Sequence, residues 1–282
     1  MSSGMIMKRQ QNLLLSCLAK ELRYGGSMKK IILIALVLTL IFNLKGITSD
    51  IRKAKELDSM AKDMIRKGHY QRALEFFQKS SDIFLKIHGP DHPQVGSSYN
   101  SIGLTLRYLG QFNRAIEYYE KALKNGLKNF GENHPDVATR WNNLGSAYNY
   151  IGEFQKAIEY FEKALASDLK TYGKNHAKIA TYWNNLAIAY KDLAQYDMAI
   201  AYLEKALNSD LKNFGENHLK VATRWNNLGQ IYLAQGNYQK AINLYEKSLR
   251  VFEAKAGKNH PNTKIIRGNL EEAKRKTNES EH

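Results

Sequence analysis

Histidine is the side chain best suited to bind a transition metal or move a proton near neutral pH. Here it recurs with strict spacing: His92, His134, His176, His218 and His260 follow one another every 42 residues. A chelating set must converge within about 2 Å of one ion. Copies a whole repeat apart do not converge, and their immediate neighbours differ. The single cysteine, Cys17, stands far upstream of them. This pattern points away from a metal centre and toward a hydrogen bond at a connection or a helix start. Nucleophilic and phosphate chemistry find no support either. G-x-S-x-G, H-E-x-x-H, C-x-x-C and the P-loop are all absent from the chain. Acids such as Glu117 and Glu159 lie four residues before Lys121 and Lys163, the spacing of helix-surface ion pairs. The expectation is a non-enzymatic protein with no cofactor and no small-molecule substrate.

A second periodic chemistry belongs to asparagine. Asn100, Asn142, Asn184 and Asn226 form one ladder, and Asn143, Asn185 and Asn227 form another one residue on. A primary amide carries both donors and an acceptor. It can pair with the backbone of an extended ligand without selecting its side chains. Asparagine is also a poor helix former, so an interior one needs a tertiary reason. That reason is either a partner or a bond between neighbouring helices. The spacing leaves both roles open, one for each ladder.

The elements that position these residues come from the same period. WNNLG at Trp141 and Trp225, WNNLA at Trp183, YNSIG at Tyr99 and the degenerate RGNLE at Arg267 mark one register. GHYQRA, GQFNRA, GEFQKA, AQYDMA and GNYQKA mark a second, and GPDHP, GENHP, GKNHA, GENHL and GKNHP a third. Three landmarks sharing one spacing specify a stacked solenoid. Within each unit apolar residues recur with helical period. Val137, Trp141, Leu144 and Ile151 make one stripe, and Phe154, Ala157, Ile158, Phe161, Ala164 and Leu165 make the next. All four prolines lie in the long connections. The predicted units are five helical hairpins at 51–87, 94–128, 136–170, 178–212 and 220–255, together spanning 51–255. A single capping helix at 262–276 and a fraying tail at 277–282 follow. Gly145 and Ala187 share one crossing position, and Ala157, Ala199 and Ala241 another. Small side chains there let paired helices approach to about 8–10 Å.

Trp141, Leu144, Gly145, Tyr148, Ala157, Phe161 and Ala164 occur at the spacings of the tetratricopeptide repeat, which this chain resembles over residues 51–276. The 42-residue unit with its G-x-N-H-P connection is similar to the kinesin-light-chain type of that repeat. The heptad region that joins a true kinesin light chain to its motor has no counterpart here. The resemblance implies an all-α, right-handed superhelical solenoid of stacked helix-turn-helix repeats. It implies a concave face, lined by first helices, that binds a protein or an extended peptide. The family's peptide-facing positions fall on Asn100, Leu104, Arg107 and Tyr108, then on Asn142, Ser146, Asn149 and Tyr150. In the next copies they fall on Asn184, Ile188, Lys191 and Asp192, and on Asn226, Gln230 and Leu233. Arg107 and Lys191 are the basic residues among them that suit an acidic segment.

The N-terminal region follows a different pattern. Residues 29–44 read KKIILIALVLTLIFNL. Twelve apolar residues, Ile31–Phe42, rise only about 18 Å as a helix, against about 30 Å of bilayer hydrocarbon. That suits a signal-peptide core starting from Met28, with Gly46 and Thr48 preceding a cleavage site. The expectation is export to a periplasmic compartment after removal of residues 1–48, with membrane anchoring through residues 29–44 as the alternative. The chain carries a net charge of +15. Residues 1–48 hold seven of its basic residues and one acidic, so the remainder keeps +9. The alternative roles are a nucleic-acid-associated basic repeat protein and a structural component of an envelope assembly. Basic residues dispersed among acids, with no recognised reader module, disfavour nucleic acid.

Overall fold

The computed structural model describes residues 27–280; Met1, Cys17 and the last two residues of the tail lie outside them. The described residues form eleven helices and no strand. The first helices of successive hairpins are α1 (Ser27–Arg66), α3 (Pro93–Tyr108), α5 (Pro135–Tyr150), α7 (Ala177–Asp192) and α9 (Leu219–Ala234). The second helices are α2 (Tyr70–His88), α4 (Phe112–Phe130), α6 (Phe154–Tyr172), α8 (Tyr196–Phe214) and α10 (Tyr238–Ala256), and α11 (Pro261–Ser280) closes the array. Each helix packs on the next in sequence, and the hairpins stack into a right-handed superhelix.

The hairpin crossing is set by paired substitutions. A Cβ placed on Gly103, Gly145 or Gly229 would lie 2.8, 2.8 or 2.6 Å from the ring of Tyr119, Phe161 or Tyr245. Where the crossing residue is Ala187, the facing side chain is Leu203, not a ring. The backbone approach is thus bought by glycine only in the copies that bury an aromatic there.

Hairpins join at two edges. At the loop edge a second helix ends and the next first helix begins. Gly89, Gly131, Gly173, Gly215 and Gly257 adopt positive φ there, as helix-terminating glycines do. The histidine that follows is the N-cap. Nδ1 of His92, His134, His176, His218 and His260 accepts the backbone N–H two residues on, at 3.2, 3.1, 3.3, 3.1 and 3.2 Å. An aromatic from the preceding helix end stacks on the cap. His88 covers His92, Phe130 covers His134, Tyr172 covers His176 and Phe214 covers His218, at 4.1–4.6 Å between centroids. The periodic histidines are therefore helix starters. At the opposite, turn edge the two helices of one hairpin meet.

Two terminal elements exceed their expected bounds. α1 is unbroken through Gly46, so the apolar segment runs directly into the first repeat helix and no break separates 48 from 51. α11 continues to Ser280, taking in most of the tail expected to fray. Ion pairs from Lys276 to Glu272 and from Arg275 to Glu279 extend it, as does the Thr277 hydroxyl, which donates to the Ala273 carbonyl.

Candidate functional site

The two asparagine ladders are cross-linked: one chain of bonds runs from Asn269 through Asn226, Asn227, Asn184 and Asn185 to Asn142, and Asn143 and Asn100 form a separate pair. Nδ2 of Asn143 donates to Oδ1 of Asn100 at 2.9 Å. Asn185 donates to Asn142 and Asn227 to Asn184, each at 2.8 Å, and Asn269 of the capping helix to Asn226 at 3.1 Å. Within a helix Asn184 and Asn226 donate to Asn185 and Asn227 at 3.4 Å. Amide oxygens of the first ladder are thus occupied by the next repeat, and Asn184 is buried. Such chains of amides polarise one another and rigidify the face they line. Asn269 was not expected in the second ladder; its signal is the asparagine kept in the degenerate RGNLE copy.

Beside this network, toward the turn edge, lies a cavity of about 560 Å³ between α5 and α7. Arg107, Ser146, Asn149, Tyr150 and Ile188, all expected on the peptide face, line it. Asp192, also expected there, and Asn185 of the second ladder line it too, and the second helix adds Phe154 and Phe161, which first-helix spacing does not reveal. Asn142, Asn184, Lys191, Gln230 and Leu233 lie outside it. Asn226 lines a separate hollow of about 220 Å³ against Phe252 and Ile265.

The cavity has a local cause. Tyr70 stacks on Tyr108 at 5.0 Å, and one repeat on Phe112 stacks on Tyr150 at 4.8 Å with the rings 5° from parallel. In the next copy Phe154 holds the ring position of the second helix, but Asp192 stands where Tyr108 and Tyr150 stand earlier. A ring is missing from the series, and the space above Phe154 opens. Asp192 accepts a hydrogen bond from Asn149 Nδ2 at 3.4 Å and pairs with Lys191 at 3.0 Å. Asn149 Oδ1 is buried without a hydrogen-bond partner among the described residues. At the other end the Arg107 guanidinium lies 5.9 Å from the Tyr150 ring centroid and 5.2 Å from that of Tyr108. Burial pushes the nearby Tyr119 hydroxyl up to about 12, opposed by the Arg107 charge. The arrangement offers a flat apolar floor, the Asp192 carboxylate at one rim and the Arg107 cation at the other. It holds no nucleophile–base pair, and no cluster of metal-ligating side chains occurs among the described residues.

Comparison with known proteins agrees with the geometry. A tetratricopeptide-repeat family model matches residues 56–128, 125–170, 136–212, 178–254 and 220–282. A solved chain of nearly identical TPR-like repeats, described as a kinesin light chain from Podosopora anserina, is 24% identical. It covers 73% of this chain and 96% of its own length, with a TM-score of 0.63. BtubC (BKLC) from P. vanneervenii is 26% identical over 77% of this chain and 93% of its own, with a TM-score of 0.55. Aspartyl phosphate phosphatase F from Bacillus subtilis shares the fold at 17% identity, covering 95% of this chain and 66% of its own, with a TM-score of 0.66. No curated protein matches the chain.

Proposed function

The chain belongs to the tetratricopeptide-repeat family, and we propose that it is a non-enzymatic interaction scaffold that seats an extended peptide segment in the cavity between α5 and α7. Repeats of this kind build protein-interaction scaffolds. The observation that carries the finer reading is the gap over Phe154, where Asp192 replaces the ring of the two preceding copies. A partner's planar or apolar side chain fills that gap. A hydrogen-bond donor beside it reaches the Asp192 carboxylate in the cavity lining. The asparagine network supports this role indirectly, by holding neighbouring first helices at fixed spacing along the ligand path. The test is Asp192→Tyr, which restores the ring and closes the cavity. Peptides selected on the wild-type protein from a displayed library should lose affinity for this variant by calorimetry, while the thermal melt holds or rises. Unchanged affinity with an intact melt places the ligand elsewhere and removes the proposal.

We also infer that the apolar half of α1 anchors the protein in a membrane. The helix includes an 18-residue window of mean hydropathy 1.6, beginning within Ile34–Arg66. Such a window rises about 27 Å, close to the hydrocarbon thickness, and reaches at least Ile51, so it takes in Lys45 and Asp50 at its interfacial end as well as the apolar stretch. Thr39 and Thr48 donate their hydroxyls to the carbonyls of Ala35 and Leu44, at 2.8 and 3.0 Å, so both are satisfied without water. Leu36, Leu38, Leu40 and Phe42 are exposed among the described residues. Mass spectrometry of the mature N-terminus decides the matter: a chain beginning near Ser49 means a cleaved signal instead.

A further inference from the structure

We propose that the junction between the first hairpin and α3 is an acid-sensitive hinge, at which falling pH undocks α1 and α2 from the rest of the solenoid. The stacked pair His88 and His92 is its trigger. Nδ1 of His92 accepts the Gln94 N–H at 3.2 Å. An imidazolium carries a hydrogen on both nitrogens and accepts nothing. A charged His92 also sets a cation at the N-terminus of α3, where the helix dipole opposes it. Every histidine cap has this property. The first alone is covered by a second imidazole: His88 lies 4.1 Å from His92, with the rings 15° apart. Phe130, Tyr172 and Phe214 hold that place in the next three copies, and none of these rings takes up a proton near neutral pH. The carbonyl end of α2 favours a charge on His88. Burial of the ring outweighs it and pushes the His88 pKa down, and the charge on His92 adds to this. The closed junction thus holds both rings neutral, one by its cap and one by burial. Its stability is full above the ordinary imidazole pKa of about 6.5 and is lost as pH falls through it.

The bonds around the pair mark where the junction parts. The connection is held by the second hairpin: Asn125 Nδ2 of α4 donates to the carbonyls of Pro90 and His92 at 3.0 and 3.1 Å, and Asn129 Nδ2 to that of Asp91 at 2.8 Å. His88 belongs to α2, and Gly89, at φ 75°, lies between the two. Later first helices are tied to one another by asparagine bonds. The corresponding residues of α1 and α3 are Asp58 and Ser101. The Ser101 hydroxyl donates inside α3 instead, to the Ser97 carbonyl at 3.1 Å, and Asp58 Oδ1 is buried with no partner among the described residues. The first interface lacks the bond that fixes its successors and closes on Ala54, Phe84 and Val95. A solenoid hairpin contacts only its neighbours, so a terminal one can leave without unfolding the others. The surrounding charges do not reverse the response. Asp91 is paired with Lys128 at 2.6 Å, and Asp82 of α2 acts on Tyr99. Lys86 on α2 is a further cation, and on α1 Arg52 and Lys55 outnumber Asp50 beside the packed Ile51 and Ala54. Burial pushes the Asp58 carboxyl up, opposed by Ser80 and Lys62, so its protonation favours the closed form and works against the hinge.

The test is amide hydrogen exchange on the full chain in a non-ionic detergent, at pH 7.5 and pH 5.5, corrected for intrinsic rates. Each proton bound on opening lowers protection by up to about tenfold per pH unit below about 6.5. Residues 89–99 should therefore lose up to about a hundredfold, for two imidazoles, and residues 173–183 at most about tenfold, for one. His88→Phe, or His88→Tyr, installs the ring of a later copy and should cut the loss at 89–99 to about tenfold. Asp58 is unchanged in these variants, so the difference from wild type belongs to the pair. Adding His92→Asp, which accepts a hydrogen bond at both pH values, should abolish the remaining loss. A thermal melt at pH 7.5 establishes that each variant is folded. Protection at 89–99 that does not fall on acidification overturns the hinge. So does a loss in both His88 variants as large as that of wild type. Equal losses at all five connections mean that the whole array melts together, and overturn it as well.

Discussion

The two edges of the solenoid are built on opposite rules. At the loop edge the same device is used five times: a positive-φ glycine and a histidine cap, with a ring stacked on the cap in four of the copies. At the turn edge the corresponding positions change from copy to copy. Tyr108 and Tyr150 complete ring stacks, Asp192 opens a cavity, and Ala234 leaves Tyr196 without a ring above it. Strict recurrence marks what each hairpin needs in order to fold and stack. Departure from the recurrence marks where one copy is freed for something else. The comparison can be broken or sharpened by substitutions on either side of it.

The largest effect is expected inside, where departure serves register and not binding. The residue pair joining a second helix to the next first helix is Gly126 with Arg140, then Asp168 with Tyr182, then Asp210 with Arg224. Arg140 fills the space a Cβ on Gly126 would take and donates to the Ala122 carbonyl at 2.6 Å. Tyr182 donates to Asp168 at 2.7 Å, and Arg224 donates to Asp210 at 2.9 Å. Each pair fits only its own interface, which disfavours a slipped stacking of near-identical hairpins. Burial pushes the Arg224 guanidinium down against the pull of Asp210. Asp210→Ala leaves that cation buried alone and should cost about 3–5 kcal/mol, read as a lower urea midpoint. Adding Arg224→Met should recover most of the loss. If the single change is silent, the varied interior pairs do not set register, and variation alone is no guide to role.

Next come the asparagine bonds, which recur between neighbouring first helices and so belong with the loop edge in kind. Asn184 accepts from Asn227 and donates to Asn185. Asn184→Ala should cost about 1 kcal/mol or somewhat more, because it removes a buried amide and leaves the half-buried Asn227 donor without its acceptor. Asn227→Ala added to it should cost little more, since both remove the same bond. Full additivity in the double variant would show that the amides act separately.

These two cases mark what sequence alone discloses. The five hairpins and the histidine caps are legible because every copy repeats them. The two asparagine ladders are legible as ladders, but their joining is not. Which amide meets which depends on the superhelical offset between repeats, and the bonds run from residue i to i+43, not i+42. The cavity escapes a position-by-position reading because its floor, Phe154, lies on the second helix, and its cause is a ring that one copy lacks. Arg107, Ser146, Asn149, Tyr150, Ile188 and Asp192 fall at family positions, and the cavity collects those six while leaving the asparagines of the first ladder in the scaffold. Continuity of α1 is likewise invisible in a pattern that changes from apolar to amphipathic near Gly46.

A smaller loss is expected at the loop edge. His134→Ala removes the Nδ1 acceptor for the Asp136 N–H and the ring stacked on Phe130. The expected cost is about 1 kcal/mol, and His134→Asp should recover most of it, since aspartate is a better cap. The corresponding change at His176 should give a similar value, read as a shift in thermal midpoint, because both positions do one job. Widely different costs would mean that recurrence at this edge hides a second role in one copy.

The smallest effect is expected at the turn edge and has the opposite sign. Gly68, Gly110, Gly152 and Gly236 hold positive φ where a first helix gives way to a second, and in the remaining copy Ala194 holds φ at 56°. A side chain in that region costs about 1–2 kcal/mol. Glycine would remove the strain but cost about 0.5–1 kcal/mol more in the entropy lost on folding. Ala194→Gly should therefore stabilise the protein by roughly 0.5 kcal/mol, seen as a higher urea midpoint at unchanged slope. Ala194 follows Asp192 by two residues, so the same variant also probes the cavity rim. If selected peptides bind it as they bind wild type, the alanine is only a tolerated lapse in the turn. If stability rises while peptide affinity falls, the strained turn is what holds Asp192 in place, and both departures in this copy serve the one site.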